Sequence, residues 1–267
     1  MPFLQVGDIR MHYHLRGKGP PLVLIMGLSG DLVWWERLAC LLEDRFRLLL
    51  FDNRGSGLTD KPDGKYSIEL FASDTVKLLN GLGISRAHVF GVSMGGMIAQ
   101  ELALLHPGRV DRLALGCTHG GGQGFLMPSA EAVQKMTSTR GKSLEEVGRE
   151  VISILFSPSF LARDPECVEA MVRRYVSNPP ERKAFTNQFW AALGHNCYDR
   201  LNEIQKPTLI LTGDEDILIP PENSRILQER VPGSKLRVLK GAGHAFFIES
   251  PEETAQALRE HFLGGRA

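Results

Sequence analysis

Ser93 stands between Gly91 and Gly95 in the stretch Ala87-His88-Val89-Phe90-Gly91-Val92-Ser93-Met94-Gly95-Gly96-Met97-Ile98-Ala99-Gln100. The residues before it are an apolar run of strand length, and those after it follow a helical pattern. A strand that turns at once into a helix holds the serine between them in a strained backbone conformation with its hydroxyl projecting. The same turn aims the first N–H groups of the helix at that hydroxyl. Glycines flank the serine because the two arms approach too closely for a Cβ. A neutral hydroxyl is a poor nucleophile and needs a base within hydrogen-bond reach. His244, in Gly241-Ala242-Gly243-His244, follows the last apolar run and is the candidate base. A carboxylate must then orient that imidazole and stabilise its charged form. Asp214, Glu215 and Asp216 follow another apolar run, and all three qualify by type.

These groups are far apart in the chain, so other elements must bring them together. Residues 3–17 read as a hairpin about Gly7-Asp8, with His12 and His14 on the polar face of an outer strand. Pro21–Met26 and Arg47–Asp52 are continuous apolar runs, the mark of strands covered on both faces. Trp34–Glu43 and Ile68–Leu82 have helical spacing, and the helix after Ser93 runs to about His106, where Pro107 closes it. The glycine-rich turn Asp52–Gly57 lacks a lysine followed by serine or threonine at P-loop spacing, which argues against phosphate binding. Arg112–Cys117 is a further strand, with Cys117 read as a packing residue. His119 follows it, in the kind of loop that converges on a site in α/β sheets, and is a candidate pocket residue.

From about Gly124 to Asp199 the strand signal disappears, and a helical pattern is broken at Pro128, Pro158, Pro165 and Pro179-Pro180. Phe125, Met127, Met136, Phe156, Phe160, Phe185, Phe189 and Trp190 give this segment an apolar side. Most are expected to hold it together; the remainder, Trp190 among them, are expected to face a cleft and favour a partly hydrophobic substrate. Strands resume at Pro207–Thr212 and Lys235–Lys240, with a helix at Glu222–Val231 between them. Ser250 as N-cap, Pro251 at the first helical position and Glu253 predict a capping box at the start of the terminal helix.

With its serine turn, Asp52-Asn53-Arg54-Gly55-Ser56-Gly57, Gly213-Asp214-Glu215-Asp216-Ile217-Leu218-Ile219-Pro220 and Gly241-Ala242-Gly243-His244, the chain resembles the α/β-hydrolase family over nearly its whole length. The resemblance implies an α/β-hydrolase fold: a mostly parallel central sheet flanked by helices. Residues 1–123 and 200–267 would form the core domain, and 124–199 a helical cap inserted after the sixth strand. It implies a catalytic triad of Ser93, His244 and Asp216, the acid chosen by the family spacing of glycine, two residues, aspartate and a proline four further on. It implies an oxyanion hole made by the backbone N–H groups of Leu28 and Met94. Met26 departs from the family, whose members usually carry histidine there, which leaves the donor intact but alters the contacts that shape its loop. Arg54 would be tied down by hydrogen bonds.

Relatives that open epoxides or displace halide carry aspartate at the nucleophile position, so the serine implies attack on a carbonyl and an acyl-enzyme. A small carboxylic ester or lactone is the first expectation. A carbon–carbon bond hydrolase of ring-cleavage diketones and an enol-lactone hydrolase are the alternatives, and a small-molecule receptor on the same fold is the alternative from another class. Composition adds exclusions. The 267 residues are 43% hydrophobic with 31 basic and 31 acidic groups, so no excess charge invites nucleic acid or an anionic membrane. No run is long enough to cross a bilayer, and the N-terminal residues lack the order of a signal peptide. Cys40, Cys117, Cys167 and Cys197 are scattered without paired spacing, which suits reduced thiols in a cytoplasm. No cofactor and no metal are expected, the partner is a small-molecule substrate, and nothing specifies an oligomer.

Overall fold

The computed structural model describes residues 2–137 and 140–264. Strands β1 (Phe3–Val6) and β2 (Ile9–Arg16) form the hairpin, followed by β3 (Pro21–Ile25), α1 (Glu36–Leu42), β4 (Arg47–Phe51) and α2 (Ile68–Gly81). Then come β5 (Ala87–Val92), α3 (Met94–Leu105) and β6 (Val110–Gly116). Helices α4 (Ala130–Thr137), α5 (Leu144–Leu155), α6 (Pro158–Arg163), α7 (Pro165–Ser177) and α8 (Arg182–Leu193) lie between β6 and β7 (Thr208–Gly213). The chain ends with α9 (Glu222–Arg230), β8 (Lys235–Leu239), α10 (Phe246–Glu249) and α11 (Pro251–Leu263).

The strand order is β1-β2-β4-β3-β5-β6-β7-β8, antiparallel at the hairpin and at β2–β4 and parallel elsewhere. Successive side chains of a strand point to opposite faces, so an apolar strand feeds two cores. Val23 and Ile25 of β3 join one cluster with residues of α2 and α3. Leu22 and Leu24 join the other, with residues of α1 and α11. That is the burial the continuous apolar runs predict.

After β3 the chain adds β4 on one side and β5 on the other, so the order reverses between β3 and β5. Loops leaving two neighbouring strands in opposite directions open a crevice at their carboxyl ends. The pairings Ile25↔Gly91, Val92↔Gly116, Gly116↔Leu211 and Gly213↔Leu239 put the loops after β3, β5, β6, β7 and β8 on that one edge.

Three local expectations need correction. Ser250 is the N-cap of α11 but makes no side-chain cap bond; the Glu253 carboxylate is held by Arg237 at 3.4 Å instead. A capping box forms at Ser143 and Glu146, at the start of α5. His12 does not lie on a polar outer face, because its ring packs 5.2 Å from that of Phe3 and 5.1 Å from that of His14. It is buried, with its Nδ1 at 2.8 Å from Asp52 Oδ2. Finally, α10 intervenes between β8 and α11, too short for a periodic signal.

Candidate active site

The turn after β5 is built from its glycines. Ser93 has φ 55° and ψ −125°, a region that costs a non-glycine residue free energy and is held by its surroundings. Its N–H donates to Gly116 C=O at 2.9 Å, and its C=O accepts from Thr118 Oγ1 at 2.8 Å and Gly96 N–H at 2.9 Å. The backbone of the strained residue is therefore fastened to β6 and to α3. The Ser93 hydroxyl caps no backbone group of α3 and stays partly exposed. A Cβ on Gly91 would overlap the Gly95 carbonyl, and one on Gly95 would overlap Ile25 C=O, so neither position admits a side chain. Met94 is the first residue of α3, where a helix has no internal carbonyl for its N–H groups.

The loop after β3 passes beside the serine. A Cβ built on Gly27 would lie 2.9 Å from Ser93 Cβ and 3.4 Å from Ser93 Oγ. Gly27 C=O accepts from Gly30 N–H at 3.3 Å. In a trans peptide the N–H points opposite to the C=O, so Leu28 N–H faces away from Gly30. The loop lacks the family's histidine at position 26, and other groups hold it. Asn53 Nδ2 donates to Met26 C=O at 2.8 Å, and the Leu32 N–H beyond it donates to Asp52 Oδ1 at 2.8 Å.

His244 and Asp216 are brought together. His244 Nδ1–H donates to Asp216 Oδ2 at 2.8 Å, with both side chains buried. Asp216 Oδ1 accepts from Leu218 N–H at 2.9 Å and Ile219 N–H at 2.8 Å, so the carboxylate cannot rotate without losing three bonds. Asp214 turns elsewhere and accepts from Gly241 N–H at 2.7 Å, bracing the loop between β8 and His244. Glu249 braces it from the other side, accepting from Gly243 N–H at 2.9 Å and from Ser157 N–H at 3.0 Å. Burial disfavours the charged imidazole of His244, but the adjacent Asp216 carboxylate outweighs burial and holds its pKa well above the ordinary value.

Cys117 joins this pair to the serine turn. Its Sγ lies within 4.8 Å of the Asp216 and His244 ligand atoms, and its thiol interacts with the His244 ring and with the Ser93 backbone. It is buried in the core and has φ 39°, a left-handed conformation that its surroundings hold. Cys117 with Asp216 and His244, and Glu101 with His195 and Cys197, are within metal-ligand reach of one another. Burial raises both thiols, Cys197 to about 12, which keeps them protonated. Asp216 is committed to His244 and two N–H groups, and Glu101 to Arg200 at 2.5 Å. A neutral thiol beside a committed carboxylate is a poor donor set for a cation.

His119 is buried, and its Nδ1 accepts from Gly121 N–H at 3.0 Å. Its ring lies 3.9 Å from that of Phe125, centroid to centroid. Burial, with His195 nearby, pushes it down to about 3, so it is neutral at ordinary pH. Trp190 is 62% exposed and meets the ring of Phe189 edge-on. It lines a hollow of about 110 Å³ with Tyr66, Ser67, Ile68, Glu69, Ala191, Gly194 and His195, none of them a member of the Ser93 turn or the His244 loop. Arg54 is tied down as expected, to Asp8 at 2.7 Å and Asp74 at 2.8 Å. Sequence reasoning missed Glu249, and it missed Gln188, whose bonds reach the loop after β3 from α8. Neither residue carries a local signal, since each acts on a partner distant in the chain or in an unpatterned loop.

A family model described as alpha/beta hydrolase fold matches residues 20–251. A protein of Azorhizobium caulinodans named carbamate hydrolase RutD is 29% identical over 94% of this chain and 94% of its own. The 3-oxoadipate enol-lactonase 2 of Acinetobacter baylyi is 26% identical over 93% of this chain and 91% of its own. The crystal structure of the enol-lactonase from Burkholderia xenovorans LB400 superposes with a TM-score of 0.86 at 25% identity, covering 98% of this chain and 100% of that one. With a reversed strand order at β3–β5, a serine in the strained turn and a family match from β3 to the start of α11, the chain belongs to the alpha/beta hydrolase fold family and is a hydrolase.

Proposed function

We propose that the protein is a serine hydrolase that cleaves a small, partly hydrophobic carboxylic ester or lactone through an acyl-enzyme, with Ser93, His244 and Asp216 as the triad. The observation that carries this reading is the 2.8 Å bond from His244 Nδ1–H to a doubly anchored Asp216, joined through Cys117 to the turn bearing Ser93. That bond commits Nδ1–H to the carboxylate and leaves Nε2 as the basic nitrogen. Nε2 takes the Ser93 proton as Oγ attacks the carbonyl, and the ester or lactone C–O bond breaks with the proton passed to the leaving alkoxide. Water, deprotonated by the same imidazole, then attacks the acyl-enzyme and releases the acid. Leu28 N–H and Met94 N–H bind the oxyanion in both halves. Helices α4 to α8 form the cap over this edge of the sheet, and four free thiols suit the cytoplasm.

Among small carbonyl substrates a lactone is favoured by the likeness to two enol-lactonases. A carbamate is the second reading, favoured by the likeness to the Azorhizobium caulinodans protein. The same nucleophile and hole serve both. The test is steady-state turnover on a panel of p-nitrophenyl esters, lactones, carbamates and ring-cleavage diketones, with Ser93→Ala in parallel. Ser93→Ala is expected to lower kcat by roughly 10⁴-fold or more on the best substrate. Turnover retained in that variant refutes the nucleophile, and tight ligand binding with scarcely one turnover supports the receptor alternative.

A further inference from the structure

Gln188 lies on α8, in the helical segment between β6 and β7, and its side chain is fully buried. Its Oε1 accepts from Ser29 N–H at 2.7 Å, and its Nε2 donates to Arg54 C=O at 2.7 Å and Ser56 Oγ at 2.9 Å. The network dictates the amide orientation, because the partner at Ser29 is a donor and the one at Arg54 an acceptor. One side chain of α8 thus fastens both the loop after β3 and the turn after β4. These two loops are also joined directly, by Asn53 Nδ2 to Met26 C=O.

Ser29 has φ 58°, a left-handed conformation that a serine keeps only when its surroundings hold it there. The residue before it is Leu28, whose N–H the proposed reaction uses. The bond from Ser29 N–H to Gln188 Oε1 braces the Leu28–Ser29 peptide, which lies inside the turn closed by Gly30 N–H on Gly27 C=O. Without that acceptor the Ser29 N–H would be left half-buried and unpaired, and the backbone would gain by turning toward water. A Ser29 that left this conformation would open the turn in which Gly30 N–H donates to Gly27 C=O, and that carbonyl shares its peptide with Leu28 N–H. The contact between α8 and Gly55 is equally close, since a Cβ on Gly55 would meet Gln188 Nε2 at 3.2 Å and Ala184 Cβ at 3.3 Å.

We infer that Gln188 is a positioning residue for the oxyanion hole: through Ser29 it makes the aim of Leu28 N–H depend on the seating of α8 on the sheet. This rests on the proposed function of Ser93 and Leu28. A hydrogen bond from a rigid helix stabilises the transition state through geometry and leaves the ground state nearly untouched, because the hole is complementary to the oxyanion and not to the bound carbonyl.

The test compares Gln188→Met, which keeps length without hydrogen bonds, with Gln188→Glu, which keeps an acceptor for Ser29 N–H. Each is assayed for kcat and KM on a short p-nitrophenyl ester and for inhibition by phenylboronic acid, which adds Ser93 Oγ and mimics the tetrahedral state. Thermal unfolding is followed alongside. Gln188→Met is expected to lower kcat by about 10- to 100-fold, with KM changed less than about threefold and phenylboronic acid weakened in parallel. Gln188→Glu, measured below pH 6 against wild type at the same pH, recovers most of that loss, since the protonated acid still accepts from Ser29 and donates to Arg54. A folded variant of either kind with kcat and boronate affinity lost in no proportion, or Gln188→Met within threefold of wild type, overturns the inference. If Gln188→Met does not fold, Gln188→Ala, which also removes the acceptor for Ser29 N–H, is assayed in its place, and kcat within threefold of wild type there overturns the inference. Ser93→Ala in the same assay separates the two failures. Activity surviving Ser93→Ala sinks the reaction itself; an inactive Ser93→Ala beside a fully active Gln188→Met sinks only the role of Gln188.

Discussion

Two buried groups of histidine, cysteine and carboxylate have opposite electrostatics. In one, His244 donates to Asp216 at 2.8 Å, and its pKa stands well above the ordinary value. In the other, His195 Nδ1 lies 3.9 Å from Glu101 Oε1, beyond hydrogen-bond range, and burial together with Arg200 pushes its pKa down to about 4. Each group has one histidine, one cysteine and one carboxylate, and all six residues are buried. What differs is who holds the carboxylate. Asp216 has spent one oxygen on two backbone N–H groups and offers the other to the ring. Glu101 has spent both oxygens on the Arg200 guanidinium, at 2.5 and 3.1 Å, so its charge is neutralised before His195 can use it. Fixed neutral donors steer a carboxylate and leave its charge available, whereas a cation consumes it. The first group can make a base stronger; the second is a structural tie between α3 and the turn before β7.

The comparison breaks most sharply in activity. His244→Gln is expected to lower kcat/KM by roughly 10⁴-fold, because the proposed triad would act as a unit, while His195→Gln stays within about threefold. Esterase or lactonase kinetics on the two purified variants checks this, and comparable losses would erase the distinction. Next in size is stability. Arg200→Met strands the Glu101 carboxylate in the interior and is expected to cost about 3 kcal/mol in urea unfolding, with kcat unchanged. The same variant sharpens the contrast, since freeing Glu101 should raise the His195 pKa, read from its imidazole NMR shift.

The smallest effect is in pH. The proposed reaction needs neutral His244, whose folded pKa is raised, so kcat/KM should fall as pH drops through an inflection above 6.5. In Asp216→Asn the attraction is lost and burial remains. The inflection of its residual activity should then move down by about one pH unit or more. An inflection that stays put would show that Asp216 does not set the titration.

Much of this arrangement was legible from local pattern. Gly91, Ser93 and Gly95 are close in sequence, and the clash that excludes a Cβ at both glycines is a property of that turn. The apolar runs of β3 to β7 foretold strands buried on both faces. Gln188 was not legible: its bond to Ser29 spans 159 residues, and a glutamine in an amphipathic helix reads as a solvated position. Glu249 reads the same way, yet it anchors Ser157 across 92 residues. The expected capping box at Ser250 is absent because its backbone, at φ −134° and ψ 60°, lies outside the extended conformation that Ser143 uses to cap α5.

Sequence alone determined the turn that strains Ser93, the order of strands and helices, and which residue types were available as base and acid, because these depend on neighbours a few positions away. The tertiary structure decided which histidine meets a free carboxylate. Distance between remote segments, and competition from Arg200 for one acid but not for the other, are set only when the sheet closes and the loops at its carboxyl edge converge.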